Sequence, residues 1–143
     1  AMKKDTGSTT FIAAIAIAAC RRLWFNPLVT KLKDRARLVK RLSELEAALG
    51  DNIERSTEIQ RRVVAFHAAI DNGAEVTALV EDEEQPRTVE MLSENLAILE
   101  DVGSSFRQSL AQALRSEGMT IHTIGQLFGV TRQRISALLK QGQ

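Results

Sequence analysis

The sequence predicts an all-α protein: amino-terminal helices with an antiparallel helical hairpin, a long connecting helix, and three closely spaced helices at the carboxyl end. Three observations carry this reading. Leu, Ile, Val and Ala supply most of the 44% apolar residues, while five Phe, one Trp and no Tyr leave few aromatic anchors, as packed helices prefer. Only two Pro and eight Gly interrupt 143 positions, so the helices can be long. Apolar residues recur at three- and four-residue steps over two long stretches, the spacing of one helix face.

The first element is the run Phe11 to Cys20, apolar on all sides and closed by Arg21 and Arg22. A spanning helix needs about 20 apolar residues, so this run reads as a buried or partner-facing helix continuing to Trp24 and Phe25. Met2-Lys3-Lys4, the apolar run and Ile17-Ala18-Ala19-Cys20 also resemble a bacterial lipoprotein signal, which is at odds with the function read from the other end of the chain. A third reading is a shallow membrane anchor over residues 11–41, with the Lys/Arg-rich part against anionic headgroups. Cys20 is the only cysteine, which excludes an internal disulfide and a cysteine-clustered zinc site and fits a reducing compartment.

From Pro27, the positions Leu28, Leu32, Val39, Leu42 and Leu49 form one stripe, widened by Leu38 and Leu45. The opposite side carries Lys31, Lys33, Arg35, Arg37, Lys40 and Arg41, a solvated face. Gly50 reads as a stop, and Asp51-Asn52-Ile53-Glu54 as a capping box opening a second helix. That helix buries Ile59, Val63, Phe66 and Ile70 and ends at Asn72-Gly73. So short a connection predicts an antiparallel, coiled-coil-like hairpin over residues 28–72, and residues 1–72 are read as the dimerisation module. Residues 73–85, with four consecutive acids, read as an acidic linker with room for a short helix.

Residues 86–143 form the remaining part. Pro86 opens a stripe of Val89, Leu92, Leu96, Leu99, Val102, Phe106, Leu110 and Leu114, which Gly103-Ser104-Ser105 leaves open as one helix or two. One helix ends at Gly118. Thr120 caps the next, whose buried side is Ile124, Leu127 and Phe128, and Gly125 marks a close approach of helices. Gly129 supplies a left-handed turn, Val130 plugs the corner, and Thr131 caps a final helix over 131–141 with Ile135, Leu138 and Leu139 inward.

These residues resemble the trihelical helix-turn-helix of DNA invertases and resolvases, and equally region four of primary sigma factors. The resemblance rests on Gly118-Met119-Thr120, Gly125, Gly129-Val130-Thr131-Arg132, Ile135 and Leu138, about a quarter of the chain. It implies a major-groove recognition helix and a bacterial transcription regulator. Gly125 departs from the usual Ala. No recombinase catalytic domain and no basic minor-groove arm precedes the motif, so recombination and polymerase initiation are not implied.

Charge follows the same division. Residues 1–49 carry ten Lys/Arg against four Asp/Glu, residues 73–104 one against nine, and residues 105–143 five against one. A basic end coinciding with such a motif is the footprint of a phosphate-contacting surface. With Ile135 at zero and about 100° per residue, Leu138 and Leu139 fall near 300° and 40°. Lys140, Gln133 and Ala137 then fall near 140°, 160° and 200°, Ser136 near 100°, and Arg132 and Arg134 flank at about 60° and 260°.

The candidate DNA-binding residues are therefore Thr120, Thr131, Arg132, Gln133, Arg134, Ser136, Ala137 and Lys140. The Gln133 amide suits adenine and Ala137 leaves room for a thymine methyl. Arg132 and Arg134 can pair with guanine or hold phosphate, and Lys140 and Thr131 suit phosphate.

No Gly-rich phosphate loop, metal-spaced His/Cys/Asp set or nucleophile with a base in sequence reach is present. The chain is read as a non-enzyme with no cofactor and no metal. Its expected partners are double-stranded DNA and a second copy, in the cytoplasm at the nucleoid. The alternative is a scaffold that tethers DNA to an anionic membrane surface through residues 11–41.

Overall fold

The computed structural model describes residues 27–141. The readings placed on residues 11–25 lie outside them. Five helices and no strand occur among the described residues: α1 (Pro27–Asp71), α2 (Val76–Glu81), α3 (Thr88–Ser116), α4 (Ile121–Phe128) and α5 (Arg132–Lys140). The protein is all-α. None of these helices is long and apolar enough to cross a membrane.

The expected hairpin over 28–72 does not form, because α1 is a single helix of 45 residues with Gly50 and the Asp51–Glu54 box in its interior. A glycine inside a helix costs about 1 kcal/mol, which a continuous packed seam can offset. Leu45, Ala48, Asn52 and Ile59 supply that seam, with Ala48 buried and the others half-buried. The helix ends where the sequence places its stop. Gly73 N–H donates to Ile70 O at 2.9 Å and Ala74 N–H to Ala69 O at 3.0 Å, the paired bonds of a glycine-closed helix end.

The chain divides into two compact units, Leu38–Leu110 and residues 27–37 with 111–141. In the first, α1 pairs antiparallel with α3, since Asn95 Nδ2 donates to Ser56 Oγ and Arg62 Nη1 donates to the carbonyls of Glu84 and Pro86. The boundary expected at 73–85 falls inside this unit. Residues 73–85 hold α2 and then cap α3: the Glu83 carboxylate accepts from Thr88 N–H at 2.7 Å and from the Thr88 hydroxyl. Arg62, nearly buried, lies 3.7 Å from the same carboxylate. The acidic run is therefore the closure of the helix pair. Only the fold brings Arg62 to Glu83, 21 positions away, which is why the charge pattern alone reads as a solvated linker.

Two arginines also converge on one carboxylate within α1. Arg61 and Arg62 both donate to Glu58, and these bonds hold the Glu58 carboxyl well below its ordinary value, at about 2. Glu83 is lowered as well, first by the Thr88 hydroxyl. His67, expected to be partly packed, is exposed and lies 3.3 Å from Asp71 on its own helix.

The other long helix also settles an open question. α3 runs unbroken through Gly103-Ser104-Ser105. Asn95 and Ser109 are its buried polar residues, and Val89, Leu92 and Leu96, expected on its buried stripe, are exposed instead. The rest of that stripe, Leu99, Val102, Phe106, Leu110 and Leu114, is half-buried as expected, while over the first turns packing against α1 selects a stripe one residue back, through Met91, Asn95 and Ile98, all buried or half-buried.

Candidate nucleic-acid interface

In the second unit, α3, α4 and α5 each contribute one side chain with no exposure: Ala111, Ile124 and Ile135. Leu114, Met119, Ile121, Phe128, Leu138 and Leu139 pack around these three. The amphipathic spacing of α5 thus works as expected, with Ile135, Leu138 and Leu139 inward.

α4 needs one correction. Leu127 is 63% exposed and Val130 40% exposed, so neither forms the core or plugs the corner. With Ile124 at zero and about 100° per residue, Ile121, Phe128 and Gly125 lie near 60°, 40° and 100°, whereas Leu127 lies near 300° on the far edge. Ile121, overlooked in the pattern, takes the place given to Leu127.

The turn between α4 and α5 is built as its residues require. Thr120 Oγ1 accepts from Thr123 N–H at 3.1 Å and Thr131 Oγ1 from Arg134 N–H at 3.3 Å, so both threonines cap their helices. Gly129 sits at φ 65°, ψ 29°, in the left-handed region. Gly125 lies where a Cβ would stand 3.0 Å from Val130 O and 3.8 Å from Ile135 Cγ1. The helices meet there with no room for a side chain, and Val130 N–H donates to Gly125 O at 3.0 Å.

Outward from this core, Thr131, Arg132, Gln133, Ser136, Ala137 and Lys140 line one open depression. Six of the eight residues singled out in the sequence are thereby brought together. Arg134 is exposed on the other flank of α5, as its angle requires, and Thr120 is a cap at the start of α4, its hydroxyl shared between Thr123 N–H and the Thr123 hydroxyl. Ser136 Oγ donates back to Arg132 O at 3.1 Å, leaving its oxygen as an acceptor.

Comparison of the chain with family models, with curated proteins and with solved structures gives no match. What the surface can do follows from its own chemistry. Among the described residues, none forms an ion pair with Arg132, Arg134 or Lys140, although acids engage most of the cations of α1. Arg35 faces Glu117 at 3.7 Å, Arg37 faces Asp34 at 3.6 Å, and Lys40 and Arg41 both reach Glu44. Cations without an internal acid suit an external anion. The basic face of α1, in contrast, is partly neutralised by acids of the chain itself.

α5 with its side chains is about 10–12 Å across, close to the roughly 12 Å width of a B-form major groove. Its outward side offers one amide, two hydroxyls, one methyl and two cations. That set can donate, accept and make apolar contact, as base edges demand, and neutralise phosphates on either side.

Proposed function

We propose that this protein is a sequence-specific DNA-binding transcription regulator acting as a homodimer, with α5 as the recognition helix in the major groove. The supporting observation is the single outward surface of Thr131, Arg132, Gln133, Ser136, Ala137 and Lys140, carried on a helix whose opposite side is anchored by the fully buried Ile135. In this reading Gln133 and Ala137 meet base edges, and Lys140 and Thr131 hold phosphates. Arg132 and Arg134 reach guanine or the flanking backbone. The α3 and α4 helices hold α5 at a set angle through the core of Ala111, Ile124 and Ile135.

One such head makes few phosphate contacts and binds weakly at physiological salt. Two heads on one symmetric operator multiply the affinity, and such operators place their half-sites one helical turn, about 34–36 Å, or a multiple of it apart. Selection of full-length protein on a randomised duplex library at graded salt tests the proposal. The expected result is an enriched two-fold-symmetric site whose recovery falls steeply with salt. No enrichment over the input library, or enrichment that survives Gln133→Ala and Arg132→Ala together, overturns it.

A further inference from the structure

We infer that the unit Leu38–Leu110 is half of an antiparallel four-helix bundle, completed by a second copy that lays its α1 along α1 with Gly50 near the crossing. The inference rests on the homodimer part of the proposal above and not on DNA binding.

The helix pair carries two seams on each helix, and one of them is left largely uncovered, along α1 and over the first turns of α3. On α1 the buried or half-buried residues of the inner seam include Leu38, Leu45, Ala48, Ile59 and Phe66. One residue further on runs an outer seam of Val39, Leu42, Leu49, Ile53, Val63 and Ile70, all exposed. These six keep a seven-residue phase, the spacing of helices that pack along their length. The first turns of α3 repeat the arrangement: Met91, Asn95 and Ile98 face inward, while Val89, Leu92 and Leu96 are exposed.

The hand of the helix then decides where the outer seams point. On each helix the outer seam lies one residue ahead of the inner, a right-handed rotation of about 100°. Because α1 and α3 run in opposite directions, these rotations turn both outer seams to the same side of the pair. The result is one apolar face two helices wide.

Its size matches what a copy of the chain would cover. The nine aliphatic residues are 46–67% exposed. At about 60–120 Å² of transferable surface per such side chain they leave on the order of 500 Å² open. A stable interface buries about 800 Å² per partner, of which about 65% is apolar in homodimers. The two figures agree.

Charge and shape select the direction. A parallel copy would set Glu46, which lies within the outer seam, against its own equivalent, and like charges in a seam repel. In the antiparallel register centred on residue 51, Glu46 meets Ser56, Val39 meets Val63, and Leu49 meets Ile53. Gly50 then lies beside its counterpart on the flank of the crossing. Nothing among the described residues requires a glycine there, since a Cβ would find none of their atoms within 4 Å. Its neighbours one heptad away on the same flank, Ser43 and Thr57, are also small, which permits two helix backbones to approach closely.

The test uses the full chain carrying Cys20→Ser. Sedimentation equilibrium is expected to give a dimer, and Leu49→Glu a monomer with unchanged helical circular dichroism. Oxidation of a mixture of Val39→Cys and Val63→Cys chains is expected to give the mixed disulfide, while Val39→Cys alone links poorly. Gly50→Leu, which favours the helix itself, is expected to raise the dimer dissociation constant about tenfold or more by overpacking the crossing. A monomeric chain, efficient Val39–Val39 linkage, or a Gly50→Leu dimer of unchanged affinity overturns the inference. So does a monomer whose apolar face binds anionic vesicles. Loss of DNA binding with the dimer intact would instead fault the proposed function.

Discussion

Gly129 holds the turn that aims α5, and a graded series there tests how the candidate surface is positioned. Its backbone lies at φ 65°, ψ 29°, and an added Cβ would meet no atom within 4 Å. The cost of a substitution is therefore conformational, with no clash to relieve. The left-handed region costs an ordinary L-residue about 1–2 kcal/mol, asparagine less because it visits that region readily, and a β-branched residue more. The expected order of destabilisation is thus Gly129→Asn, then Gly129→Ala at about 1 kcal/mol, then Gly129→Val at about 2 kcal/mol or above.

Urea denaturation of the full chain followed by amide hydrogen exchange reads both the size and the place of the effect. Protection should fall first in α4 and α5 and stay unchanged in Leu38–Leu110, because the turn contacts only its own unit. DNA affinity should fall in the same order. Equal destabilisation by Asn and Val, or a Val variant as stable as the parent, would refute the conformational argument.

Other outcomes follow from the same geometry. Gly125→Val is expected to cost about 1–3 kcal/mol by overpacking, since the first atom added already stands 3.0 Å from Val130 O; thermal unfolding measures it. Lys140→Ala should weaken binding to all duplexes alike and lower the salt slope by about one unit, whereas Gln133→Ala should relax preference at one base position with the slope retained. Equal effects of the two across a library of sites would remove the distinction between phosphate and base contacts. Glu58 is held down to about 2 by Arg61 and Arg62, so its contribution to stability is present above the ordinary value of 4.5 and is lost as pH falls toward 2. Denaturation from pH 6 to pH 2 should therefore show a loss that Glu58→Gln reduces.

Much of the carboxyl-terminal unit was legible in the sequence because its determinants are local. Capping threonines, a left-handed glycine and apolar residues at three- and four-residue steps act within a few positions of themselves. Thr120, Thr131, Gly129, Gly125 and Ile135 accordingly stand where the pattern assigns them. The outward set on α5 follows from helical geometry once Ile135 is known to be inside. Leu127 was misplaced because α4 is too short for its stripe to be averaged over several turns, and Ile121 shifts the centre of its buried side.

For the long helices, the sequence by itself determined that they are helical and amphipathic, and little more. Gly50 carries every local mark of a stop, yet the seam from Leu45 to Ile59 lies against α3, and that packing outweighs one glycine. Arg62 closes on Glu83 and the Pro86 carbonyl across more than twenty positions, a contact no local pattern announces. The choice between two stripes one residue apart over the first turns of α3 was likewise made by its neighbour. Where two faces of a helix are nearly equal in apolar content, only the partner that arrives decides which is buried, and the face left over is available to the next partner.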